Sequence, residues 1–147
     1  MYYISDTLMM TTHKLLDIDP SAAAPIWRQI EDGMRLLVAS GRLPAGAVVP
    51  SVRELARALR VNPATVSKAY RRLTDAGLLS VRRGEGTFVA DLSKVDRDAE
   101  RHRLLRDGAA VFIRVAASVG ASRGEATRSV EEGWTKEAEG GEGVSDD

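Results

Sequence analysis

A chain of 147 residues with no cysteine and a formal net charge of zero has room for one domain, or one small domain with an appendage; it excludes disulfides, thiolate metal sites and a cysteine nucleophile. The zero is a sum of unlike parts: residues 25–90 carry 11 Lys and Arg against 5 Asp and Glu, a net of +6, residues 91–147 carry 9 against 13, a net of −4, and residues 1–24 carry 1 against 3, a net of −2. A basic module between acidic flanks points to a localised polyanion partner.

Residues 1–24 read as a partly flexible lead, in which Met9 and Met10 are each candidate starts. The opening MYYISDTLMM lacks a basic n-region and a long apolar run, so it is not a signal peptide. No stretch approaches the roughly 18 apolar residues of a membrane span, and the expected location is the cytoplasm with no membrane partner. His13 and His102 belong to no ligand-spaced cluster, so no metal or other cofactor is expected.

A first helix begins near Pro25, whose missing N–H suits a first helical position, and runs through Ile26, Ile30, Met34 and Leu37 to Gly41. The segment GRLPAGAVVPS is punctuated by Gly and Pro and leaves Val48-Val49 as one short strand. Ser51-Val52-Arg53-Glu54 is a capping box that opens a short helix with Val52, Leu55, Ala56 and Leu59 on one face. After Arg60-Val61, Asn62 caps a second helix with Pro63 at its first position; Val66, Ala69, Tyr70 and Leu73 share a face, and Gly77 sits at the left-handed C-terminal position. Leu78–Val81 and Thr87–Val89 are strand-like and flank Arg82-Arg83-Gly84-Glu85-Gly86, a hairpin with a basic, Gly-rich tip.

Beyond Ala90 a long amphipathic helix carries Leu105, Ala109, Phe112, Ile113 and Ala116 and ends at Gly120. Ser122-Arg123-Gly124-Glu125 is a second capping box, opening a helix with Ala126, Val130 and Trp134; the tail from Gly140 is acidic, Gly-rich and expected to be disordered. The fold class is therefore mainly α: a winged helix-turn-helix over residues 25–90, then a short two-helix C-terminal dimerisation segment over 91–139, with 1–24 and 140–147 as lead and tail.

A helix-turn-helix with a wing is shaped to enter DNA grooves. The outward side of its second helix holds Ala64, Ser67, Lys68, Arg71 and Arg72, and short side chains near its start let the backbone approach base edges in a major groove. Arg82 and Arg83 on the wing would lie beside the same duplex, with Gly84 and Gly86 as turn residues that bring the tip close. Arg53 opposes the macrodipole of its own helix, which suits a residue serving a partner; local pairing with an acid is the plainer alternative. Tyr70 and Trp27 are expected in the core and Trp134 between helices. No convergent acid, base or nucleophile set appears, so no catalysis is expected.

PSVRELARALRVNPATVSKAY followed by LTDAGLL and RRGEGTFV, together with PIWRQIEDGMRLLVASGRLPAG upstream, resembles the DNA-binding domain of the GntR family of bacterial transcription regulators. The run N-P-A-T-V-S-K-A-Y and the short remainder are most similar to the YtrA subfamily. The resemblance implies a homodimeric repressor on double-stranded DNA at a palindromic operator, with a transport operon as its target. Carried onto matching positions, it places DNA contacts on Arg53, Ala64, Thr65, Ser67, Arg83 and Gly84, while many relatives have arginines early in the helix where this chain has Pro63 and Ser67. Lys68, Arg71, Arg82 and Gly86 join that set from the residue pattern alone.

About 55 residues make too small a core, so the C-terminal helices are expected to bury Leu104, Leu105, Phe112, Ile113, Val130 and Trp134 in an isologous dimer. Two alternatives stay open: a ligand-responsive regulator with a small-molecule effector in the dimer cleft, and a winged helix that binds protein. The short C-terminal region leaves little room for a pocket.

Overall fold

In the computed structural model, which describes residues 12–140, the helices after the one at Ile26–Ala39 begin where a side chain satisfies an orphan N–H group of the first turn. Their order is α1 (Ile26–Ala39), β1 (Val48–Val49), α2 (Val52–Leu59), α3 (Pro63–Asp75), β2 (Leu79–Arg82), β3 (Gly86–Val89), α4 (Lys94–Ser118) and α5 (Arg123–Gly140). Ser51 caps α2 reciprocally with Glu54, Asn62 caps α3, and Ser93 caps α4 by accepting from the Asp96 N–H. Pro25 differs from expectation: with ψ 147° it is the residue before α1, not its first residue.

The chain divides into two compact units, with the break between His102 and Arg103. In the first, β1, β3 and β2 form an antiparallel sheet in that spatial order, with Val48 opposite Phe88 and Leu79 opposite Val89. The hairpin ladder extends to Arg82 opposite Gly86, one residue further than the expected strands, and leaves Arg83-Gly84-Glu85 as the tip. The Glu85 N–H closes that turn on the Arg82 carbonyl at 3.0 Å, and Gly84 takes a φ of +78° that a side chain would strain. Ile30 and Met34 of α1, Leu55 of α2, Val66 and Leu73 of α3 and Val49 of β1 are fully buried in one core.

Part of the N-terminal lead is core: Leu16 is 5 % exposed and lies across α1 at Gly33, where a Cβ would come within 2.6 Å of the leucine Cδ2. The Gln29 amide clips the following loop, accepting from the Asp19 N–H and donating to the Asp19 and Ala24 carbonyls. Met9 and Met10 lie outside the described residues. The first turns of α4 fall in the first unit, where Arg35 of α1 donates to Glu100 at 2.8 Å.

The second unit holds the rest of α4 and α5, and Ser122 and Glu125 make the expected capping box. Among its described residues none is buried. Gly140 is the last residue of α5, and the remaining tail residues lie outside the described residues. Among the described residues no helix is long and apolar enough to cross a membrane.

Candidate nucleic-acid interface

The turn between α2 and α3 is made by Arg60, which closes α2 in the left-handed conformation (φ 57°, ψ 44°). The Val61 N–H bonds the Ala56 carbonyl at 3.0 Å and the Arg60 N–H the Arg57 carbonyl at 3.3 Å, the paired bonds of a Schellman close. Asn62 then accepts from the Ala64 N–H at 2.8 Å, so α3 starts at once. Tyr70 fixes the pair of helices. It is buried and its hydroxyl donates to the Pro50 carbonyl at 2.6 Å; burial, with the Glu54 charge, pushes its ionisation above the ordinary tyrosine range.

With Val66, Ala69, Tyr70 and Leu73 turned inward, α3 leaves Ala64, Lys68 and Arg71 exposed and Thr65 and Ser67 half-buried. Arg71 has no charged partner among the described residues, nor does Arg53, so the local acid pair considered for Arg53 does not form. On the wing Arg83, Gly84 and Gly86 are exposed and, among the described residues, Arg83 is unpaired. Arg82 is engaged: its guanidinium lies 4.4 Å over the Phe88 ring, with Glu85 at 4.0 Å.

Trp27 packs against the core as expected, though only half-buried, and its ring carries the Lys68 ammonium at 4.2 Å and the Arg72 guanidinium at 5.1 Å. One turn along α1, the Glu31 carboxylate accepts from Arg72 Nε at 2.6 Å and from Arg35 at 3.2 Å. Glu31 and Arg35 are 4 % and 5 % exposed. Burial alone would raise the Glu31 pKa, but the bonds from Arg72 and Arg35 outweigh it and hold the carboxyl below its ordinary range. The network of Glu31, Arg35, Arg72 and Glu100 escaped sequence reasoning. Its one local trace is the i, i+4 spacing of Glu31 and Arg35 within an apolar helix face.

The proposed interface residues of the second unit lie open. Ile113 is 62 % exposed, Trp134 76 %, and Leu105 and Val130 at least half exposed, while Leu104 and Phe112 are half-buried. Trp134 therefore does not pack between helices of its own chain. Phe112, Ile113 and Val130, with Ala109, Ala116 and Ala126, line an open groove of about 530 Å³, where the sequence left little room for a pocket.

Residues 27–89, from Trp27 to the end of β3, match the model of the bacterial regulatory proteins of the gntR family. The chain is 41 % identical over 80 residues to the HTH-type transcriptional repressor YtrA of Bacillus subtilis, an alignment that covers 54 % of this chain and 62 % of that one. It is 30 % identical over 110 residues to the HTH-type transcriptional regulator YhcF of the same organism, across 75 % of this chain and 90 % of the relative. A GntR family transcriptional regulator from Listeria monocytogenes has a similar structure, with a TM-score of 0.67 at 27 % identity, covering 78 % of this chain and 98 % of that one. These relatives are regulators of transcription, not enzymes. The likeness to YhcF and to the Listeria structure is longer than the 63 residues that match the family model, which are those that build the sheet, the helix pair and the basic tip. The chain thus belongs to the GntR family of bacterial regulatory proteins, as a YtrA-like transcriptional regulator with a DNA-binding winged helix-turn-helix.

Proposed function

We propose that the chain works as a homodimer that binds a palindromic operator and represses transcription by occupying it. The carrying observation is a set of exposed guanidiniums, Arg53, Arg71 and Arg83, left without partners among the described residues on a part of the chain with a net charge of +6. Cations without an internal partner are available to phosphates, and such contacts supply most of the affinity for a duplex. Arg53, Arg71, Arg83, Lys68 and Arg82 supply the charge. Ala64, Thr65 and Ser67 face the bases at the start of α3, and Gly84 and Gly86 let the wing approach a groove. As the repressor YtrA is a relative, repression is the favoured sign, and a regulator acting at the chromosome works in the cytoplasm.

Pairing is assigned to Leu104, Leu105, Phe112, Ile113, Val130 and Trp134. A unit with no buried residue among those described cannot sustain an apolar stripe on its own, and a second copy of the same stripe is its natural cover. The dimer would set two recognition helices about one helical turn apart, roughly 34–36 Å. The test is the salt dependence of binding to an operator selected from random duplexes. With about six phosphates contacted, log K should fall against log salt with a slope near −5, and a slope near zero rejects the reading.

The groove of about 530 Å³ favours a second reading, a small-molecule effector seated there, since its volume falls within the usual range of ligand sites. A thermal-shift screen against candidate effectors decides it: no shift with any compound favours a partner helix as the occupant.

A further inference from the structure

Two cations stand side by side on the recognition helix, and like charges at that spacing repel. Lys68 and Arg72 are one helical turn apart on α3, and facing them Trp27 and Glu31 are one turn apart on α1. The indole face takes both cations, at 4.2 Å and 5.1 Å, and Glu31 takes Arg72 Nε at 2.6 Å. Arg72 is thereby held at one nitrogen and one face. Its side chain stays 53 % exposed, and its two Nη groups donate no hydrogen bond to any described residue. Free Nη groups on a guanidinium of fixed orientation, next to a second cation, make a donor pair suited to a phosphodiester oxygen.

We propose that Arg72 is a further phosphate contact of the recognition helix, and that Trp27 and Glu31 are the positioning residues that hold it and Lys68 ready. The proposal rests on the DNA-binding reading above and adds three residues to it. The competing explanation is charge balance alone. Glu31 and Glu100 together outnumber the buried Arg35, and Arg72 restores neutrality without touching DNA. The two differ in what salt reveals. A cation that only balances Glu31 releases no counterion when DNA binds, whereas a phosphate contact does.

The experiment uses the full chain and a mixed-sequence duplex of about three helical turns, titrated over a range of salt. Arg72→Ala should bind more weakly and show a shallower slope, by about 0.9 for each phosphate that is no longer neutralised. Trp27→Leu keeps every charge, so its slope should stay that of the wild type while affinity falls about two- to fivefold. Trp27→Phe, which restores a ring face, should recover most of that affinity. Melting temperature and far-ultraviolet dichroism confirm that each variant is folded. Folded Arg72→Ala with the wild-type slope overturns the proposal alone, as does Trp27→Leu binding as tightly as the wild type. A wild type that does not bind the duplex at all overturns the DNA-binding reading and this proposal with it.

Discussion

The two units solve opposite problems with similar helices. In the first, α1, α2 and α3 turn Ile30, Met34, Leu55 and Val66 into a closed core and leave the surface to charge. In the second, α4 and α5 keep Leu105, Ile113 and Trp134 exposed, as the turn between them does Val119, and bury nothing among the described residues. The difference is one of partners. Three helices and a sheet cover one another, whereas the described residues of the two helices leave an apolar face uncovered within their unit. Stability should therefore be concentrated in the first unit, and assembly in the second.

Core truncation strains that contrast most. Leu55→Ala removes a side chain with no exposed surface and should destabilise the winged helix by about 2–5 kcal/mol in chemical denaturation. Val119→Ala, at a position 73 % exposed, should stay within about 0.5 kcal/mol. Equal losses at both positions would erase the distinction between the units.

Next in size is loss of DNA binding without loss of fold. Arg53→Ala and Arg83→Ala should each weaken binding to a selected operator by about 1–3 kcal/mol, measured by fluorescence anisotropy, with the melting temperature unchanged. Unaltered affinity would return both side chains to the solvated surface.

The buried ion network sharpens the comparison through pH. The Glu31 carboxyl is held below its ordinary pKa in the fold, so its contribution is complete above the ordinary glutamate range and is lost as pH falls through the depressed value. The melting temperature of the wild type should fall more steeply on acidification than that of Glu31→Gln; parallel curves would remove Glu31 from the stability of this unit.

Smaller effects belong to the helix ends. Ser51→Ala removes the side-chain oxygen that caps α2 and should cost about 1 kcal/mol. Arg60→Gly relieves a left-handed side-chain residue and should stabilise by about 0.5–1 kcal/mol. Both are read from thermal unfolding, and a destabilising Arg60→Gly would mean that the arginine side chain makes up for its backbone strain.

What could be read in advance was local. Ser51 with Glu54, Asn62 with Pro63, and Gly77 after α3 each announce a helix end within four residues, and the structure places ends there. What could not be read depends on residues far apart in the chain. Arg72 meets Glu31 across 41 positions and Arg35 meets Glu100 across 65, so neither pair leaves a periodic trace. Leu16 belongs to no amphipathic run, and its only sign is the bare Cα of Gly33 beneath it. Trp27 was legible as a residue of the core side of α1, but not that its ring also carries two cations of α3, because these meet it across about 40 positions of the chain. The basic tip was legible to within one residue at each side: Arg83-Gly84-Glu85 is turn chemistry and charge in one stretch, while Arg82 and Gly86, read as part of the tip, pair in the ladder.

Stoichiometry on DNA decides whether the open face of α4 and α5 is what pairs two winged helices. Sedimentation velocity of the full chain on a selected palindromic duplex should give two chains per duplex, and Ile113→Asp, which places a charge on the apolar stripe, should leave folded single chains that bind it poorly. One wild-type chain per duplex, or an Ile113→Asp variant that still binds as a pair, would contradict the assignment.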